Sequence, residues 1–264
     1  MSFLLAAAPV PPEWLYPLLF LTGLAAGFVD AVAGGGGVIT IPVLLSTGLP
    51  AADALGTNKL QACFGSATAS WSYARAGLVD LRTCGVGVLC TALGAAAGTW
   101  LVAHRVDPEL LRHLIPWLLL GIAGYLLVQP DLGRLDLRPR LGTATFHVVF
   151  GLLIGFYDGF FGPGTGTFWA MAYLLGLGYN LQRGTAHTKV MNFTSNVVSL
   201  GVFLAAGHVH AGPGLCMGAG QVLGARLGSR TVIRQGARFI RPLFIAMALA
   251  VTARLLWVNY ASAR

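Results

Sequence analysis

Apolar stretches of about 15 to 22 residues recur along the whole chain, separated by short loops carrying Arg, Asp or Pro. A helix of that length and polarity can cross a hydrocarbon core of about 30 Å with every backbone group paired internally. No soluble domain of useful size fits between the stretches. The charged fraction agrees, at 10% of 264 residues against about 25% in a soluble domain, and mean hydropathy is +0.72. These features predict an all-α polytopic integral membrane protein whose first partner is the lipid bilayer. The formal charge of +8 comes from arginines in loops, where orientation in the membrane explains them better than nucleic acid does. The opening "MSFLLAAAPVPPEWL" lacks the basic region of a secretory signal, so the first span is expected to stay on the mature chain.

The chain is written twice. Gly27, Phe28, Asp30, Gly34, Gly36 and Gly48 recur as Gly155, Phe156, Asp158, Gly162, Gly164 and Gly176, and after a two-residue insertion "TNKLQ" meets "HTKVM" and "LGAAAGTWLV" meets "LGARLGSRTV". Fused repeats are common in secondary transporters. The expected units are 1–135 and 136–264, each of about five helical segments, eight to ten in total: 14–33, 35–49, 58–76, 83–103 and 110–129, then 143–161, 165–178, 188–206, 212–229 and 239–259. The second segment of each unit is short for a full crossing; it either crosses at a tilt or dips in and returns.

Loop charge tests how the units relate. If all ten segments cross, the loops holding Arg75 and Arg82, Arg134, Arg138 and Arg140, and Arg230, Arg234, Arg238 and Arg241 share one side, which the positive-inside rule makes cytoplasmic. The counterpart of the first, "AGHVHAGP", has no Arg or Lys and falls outside. An odd number of spans per unit then predicts inverted repeats with both termini outside. Eight spans with parallel halves, the result of discounting segments two and seven alone, fits the charges less well.

The chain contains two lysines, Lys59 and Lys189, at equivalent positions. Each follows a polar pair, Thr57-Asn58 or His187-Thr188, at the expected start of an apolar segment, with Gln61 and Ser66 or Asn192 and Asn196 a turn or more beyond. A cation with polar neighbours near a helix N-terminus attracts an anion; the alternative is a lysine that snorkels to mark a span end. Asp30 and Asp158 precede the glycine runs and fit either proton coupling or a role as ion partner or helix cap. The runs themselves, Gly34, Gly35, Gly36 and Gly37 in one unit and Gly162, Gly164, Thr165 and Gly166 in the other, are expected to break a helix at membrane depth and leave free N–H groups facing an anionic substrate. The later "LGAAAG" and "LGARLG" read as helix packing. The four cysteines lack ligand spacing, and the histidines are scattered or paired only at His208 and His210, so no metal or cofactor is expected. No nucleophile, base and oxyanion arrangement stands out, so the chain is not expected to be an enzyme.

At "GFVDAVAGGGGVITIPVLLSTGLPAADALGTNKLQ", supported by "GFYDGFFGPGTGTF" and "TKVMNFTSN", the sequence resembles the TauE/SafE (TSUP) family of sulfite exporter-like membrane transporters, especially its YfcA-like members. The resemblance covers nearly the whole chain. It implies a multi-pass protein of the bacterial inner membrane that moves sulfur-containing oxyanions or organosulfonates, such as sulfite or sulfoacetate, coupled to an ion gradient such as protons. With the residue reading it describes a small anionic substrate carried by alternating access, its charge balanced by Lys59 and Lys189. An anion channel, or a membrane enzyme or assembly factor of sulfur metabolism, are the alternatives. Oligomeric state is not legible in the sequence.

Overall fold

The structure is a computed structural model that describes residues 13–106 and 138–236. The fifth segment expected in each unit (110–129 and 239–259) and the expected boundary near 135 lie outside these residues. Among the described residues all regular structure is helical, in eight α-helices: α1 (Tyr16–Ala33), α2 (Gly36–Ser46), α3 (Ala51–Arg75), α4 (Gly85–His104), α5 (Thr143–Phe160), α6 (Thr165–Leu177), α7 (Leu181–Ala205) and α8 (Ala211–Gln235). A 3-10 turn, Glu13–Leu15, leads into α1.

Three of these, α1, α4 and α5, are long and apolar enough by composition to cross a membrane. Helices α3, α7 and α8 are each 25 residues, about 37 Å at 1.5 Å per residue; polar residues lower their hydropathy, and many of the uncharged ones, with both lysines, face inward while the arginines are exposed. Lys59, Gln61, Lys189, Asn192 and Gln221 are buried while Trp71, Leu89, Leu93 and Leu153 are exposed. Polar inside and apolar outside is the arrangement a bilayer selects, and the protein is a polytopic membrane protein.

The glycine runs do break helices. Gly34 ends α1 in the left-handed region (φ +78°), and Gly162 and Gly164 do so between α5 and α6 (φ +95° and +80°). Helix α2, 11 residues and about 16 Å, then turns back. Thr40 bonds Asn58 while Leu44, further along α2, packs in one cluster with Leu19, near the start of α1, and with Ala54, earlier in α3. Thus α2 runs antiparallel to α3 and returns to the end of the molecule where α1 began. Of the two expectations for the short second segment, crossing at a tilt or dipping in and returning, the geometry matches the second: α1 and α2 form a hairpin, and α5 and α6 form its counterpart. Each hairpin enters and leaves at the same end of the molecule, so the relation between the halves stays inverted.

The inversion is visible directly. Equivalent helices α3 and α7 are antiparallel, with Gly56 against Phe203 and Ser66 bonded to Asn196. The halves also interlock. Helix α1 packs parallel to α8 of the other half, Gly23 on Met217 and Gly27 on Gln221, with Gly220, Gly224 and Gly228 lying on Phe20, Leu24 and Phe28 backbone. Helices α4 and α5 repeat the arrangement, Gly94 and Gly98 against Leu152 and Phe156 and Gly159 against Ala95. Small residues spaced by four let the helix backbones approach closely.

One correction concerns α3 and α7. They begin at Ala51 and Leu181, not at Asn58 and Thr188, so each lysine is the ninth residue of its helix. Ala51 and Ala52 are strong helix formers, and in α7 the Asn180 side chain accepts from Arg183 N at 2.9 Å as an N-cap. Neither lysine stands at a helix N-terminus.

Candidate functional site

The two hairpin tips meet inside the molecule. A Cβ added to Gly34 would lie 2.5 Å from Gly166 Cα, so the approach is open only to glycine. Around this contact is a cavity of about 30 Å3, measured as the space open to a water's centre; a water needs about 10–15 Å3 on that measure, so a couple of waters or a small solute fit. Its walls come from both halves: Asp30, Gly34 and Gly37 from the first hairpin, Asn58, Lys59 and Ala62 from α3. From the second half come Asp158, Gly162, Gly164, Thr165 and Gly166, with Asn192 and Asn196 from α7.

Each lysine pairs with the aspartate of the other half. Lys59 Nζ donates to Asp158 Oδ1 and to Asp158 O, both at 2.6 Å. The carbonyl belongs to the last turn of α5, where an ammonium meets an orphan acceptor and the negative end of the helix dipole. Ser195 Oγ donates to the remaining carboxylate oxygen, Asp158 Oδ2. Lys189 Nζ lies 3.3 Å from Asp30 Oδ2, while Asp30 Oδ1 accepts from Gly36 N at 3.4 Å, so Asp30 reaches both the lysine and the first residue of α2. Lys59 borders the cavity; Lys189 is fully buried and does not.

The donors at the tips are backbone groups. In the first turn of α2, Val38 N bonds Gly35 O, and in that of α6, Thr165 N bonds Gly162 O and Thr167 N bonds Gly164 O. Among the described residues no protein group accepts from Gly37 N or Gly166 N. Free N–H groups and the positive ends of two helix dipoles thus converge on one cavity. The cavity's side-chain charges, Lys59 against Asp30 and Asp158, are offset when Lys189 behind Asp30 is counted.

Asn58 is held by a relay. Its Oδ1 accepts from Thr40 Oγ1 at 2.5 Å and Gln61 Nε2 at 2.7 Å, and Gln61 Oε1 accepts from Gln221 Nε2 at 2.5 Å. With its oxygen engaged, the Asn58 amide turns its NH2 toward Gly37. In the other half Gln61 and Gln221 become Met191 and Thr91, joined by a 3.5 Å contact, so the relay exists on one side only. Asn192 Oδ1 is buried with no hydrogen-bond partner.

Of the residues singled out from sequence, Asp30, Gly34, Gly37, Asn58, Lys59, Asp158, Gly162, Gly164, Thr165, Gly166, Asn192 and Asn196 border the cavity, and Gly35, Gly36, Thr57, Gln61, Thr188 and Lys189 do not. Thr188 bonds its own helix at Gly184 O. Thr57 accepts from His210 N. Ala62, Thr40, Ser195 and Gln221 were missed; Gln221 had a signal, as a lone amide in the small-residue stretch of α8.

The family model for the sulfite exporter TauE/SafE matches residues 19–255. A "Probable membrane transporter protein" of Haemophilus influenzae is 44% identical over 92% of this chain and 95% of its own length. The "Probable membrane transporter protein YfcA" of Escherichia coli K12 is 41% identical over 93% of this chain and 91% of its own. No solved structure matches. With a polar cavity in a bundle that turns apolar side chains outward, this match across nearly the whole length means that the chain is a membrane transporter of the TauE/SafE family.

Proposed function

We propose that the chain is a secondary transporter, not an enzyme, that carries a small anion through the cavity by alternating access in the inner membrane of a bacterium. The observation that carries the reading is the pair of opposed helix N-termini, with Gly37 and Gly166 N–H unpaired among the described residues, on one polar cavity. Such termini bind oxyanions through N–H groups and dipole together. Asn58 adds an oriented NH2 and Lys59 a charge. The Asn192 carboxamide faces the Gly166 tip with its NH2 and adds a second amide donor. The anion is held chiefly by these backbone and amide donors, because both lysines are already engaged by aspartates. Units 1–135 and 136–264 are the two repeats, and their inverted relation supports a rocking cycle around a fixed central site.

The family name supports a sulfur oxyanion or organosulfonate as substrate and leaves the coupling ion to experiment, with protons the first to test. Purified protein in vesicles is presented with sulfite, thiosulfate, a sulfonate and a carboxylate, with and without a pH gradient. The expected result is saturable, gradient-driven flux of at least one sulfur anion. Flux that does not saturate and ignores the gradient would make the cavity a channel, and no flux or binding of any member would remove the anion reading.

A further inference from the structure

At the end of the molecule where α3 begins, the α7–α8 loop folds over the helix. His208 Nδ1 lies 2.7 Å from Asp53 Oδ1, and His210 Nε2 lies 2.7 Å from Asp53 Oδ2. One carboxylate therefore receives both imidazoles, one on each oxygen. His210 N donates to Thr57 Oγ1 at 3.0 Å, and a Cβ at Gly56 would collide with the His208 carbonyl. The loop is thus fastened through the first two turns of α3, immediately before Asn58 and Lys59. The three side chains are partly buried yet reachable, 31% exposed at His208 and 11% at His210 and Asp53.

The same positions at the opposite end carry no such cluster. At the repeat spacing Asp53 becomes Arg183, His208 becomes Leu78 and His210 becomes Asp80. Arg183 lies over the Tyr179 ring at 4.1 Å, and Asp80 accepts from Arg82 N. In an inverted repeat these equivalent positions lie at opposite ends of the molecule, so the two ends carry different chemistry.

We propose that Asp53, His208 and His210 form a proton-binding latch that fastens the α7–α8 loop to the start of α3 at one end of the molecule only. Histidine changes charge between about pH 5 and 8. A neutral imidazole N–H already donates to the Asp53 carboxylate; adding a proton to either ring makes that donor cationic and turns the contact into a hydrogen-bonded ion pair. Charging either imidazole therefore tightens the latch. The neighbouring elements bring mainly apolar groups to the loop: Leu45 from α2, Val102 and Ala103 from α4 and Phe160 from α5 share its cluster with Val209. Among the described residues the nearby titratable or charged groups are engaged elsewhere. His104 and Arg105 at the end of α4 contact Trp100, Lys59 further along α3 is held by Asp158, and Tyr16 of α1 faces Gly212.

The latch does not depend on which solute the cavity takes, so its test is independent of transport. Amide hydrogen exchange of the full chain in lipid nanodiscs, corrected for intrinsic rates, is followed at residues 206–210 from pH 5 to 8. Wild-type protection should be about fivefold higher near pH 6 than near pH 8, with residues 217–229 of α8 unchanged as the control. The double variant His208→Gln/His210→Gln keeps donors that do not titrate and should lose the pH dependence. Asp53→Asn should lower loop protection at pH 6. A flat wild-type profile, a change shared equally by α8, or the wild-type slope in the double variant would overturn the latch, and the wild-type profile decides even if a variant fails to fold.

Discussion

Lys59 and Lys189 are equivalent in sequence and unequal in surroundings. Lys59 holds Asp158 at 2.6 Å and also its carbonyl, with the carboxyl 5% exposed; Lys189 reaches Asp30 at 3.3 Å, with that carboxyl 19% exposed. Removing one member of a tight buried pair leaves a lone charge and costs about 3–5 kcal/mol, whereas removing both costs much less. Lys59→Met and Asp158→Asn should therefore each destabilise the protein strongly and the double variant by well under their sum. The corresponding cycle at Lys189 and Asp30 should give a smaller coupling, read from unfolding in mixed micelles. Asp30, looser and open to the cavity, is the carboxylate better placed to change protonation during transport. Asp30→Asn should fold and exchange substrate across the membrane yet lose at least about tenfold of pH-gradient-driven uptake. Gradient-driven flux at the wild-type rate in that variant would assign Asp30 to structure alone.

Between residues and the whole protein stand the two broken hairpins. Gly34 and Gly48 both have positive φ, +78° and +88°, but Gly34 touches Gly166 while nothing lies within 4 Å of a Cβ at Gly48. Alanine at either site meets a backbone cost of about 1–2 kcal/mol; only at Gly34 does it also push the tips apart. Gly34→Ala should lower flux at least about tenfold and Gly48→Ala no more than about twofold, measured in vesicles at matched protein amounts. Equal effects would show that strain, not tip contact, sets the rate. The breaks were legible in sequence because a glycine run disrupts a helix locally. The early turns of α3 were not. Asp53 and the small residues of "AADALG" weaken the apolar signal there, and the partners that use Asp53, His208 and His210, lie 155 and 157 residues away. That the aspartates could serve as ion partners of Lys59 or Lys189 was legible; that Lys59 takes the aspartate of the other half was not, because periodicity and spacing report local structure and the contact spans 99 residues.

At the scale of the molecule, the loops divide between two ends. The start of α1, the start of α3 and the α7–α8 loop share one, since Gly212 lies at Tyr16 and His208 at Asp53. Helices α4 and α5 both begin at the other end, where His147 packs on Gly87. Being parallel to α1, α8 also runs to that end. Arg75 and Arg82 flank the α3–α4 turn there, Arg138 and Arg140 precede α5, and Arg230 and Arg234 close α8. The arginine concentration was legible without any structure, and the hairpins keep these arginines on one side: because segments one and two return together, removing both from the count of crossings leaves the parity unchanged. The positive-inside rule then puts the arginine end in the cytoplasm and the histidine latch outside. Single cysteines at positions 138, 208 and 234, introduced after the four native cysteines are replaced by alanine, should separate the faces. An impermeant thiol reagent added to intact cells should label position 208 at least about tenfold faster than 138 or 234, and permeabilising the membrane should bring the other two up. Labelling of 138 and 208 from the same side would contradict the antiparallel arrangement of α3 and α7, whereas the reverse pattern, 138 and 234 labelled and 208 protected, would keep the fold and turn the whole molecule over.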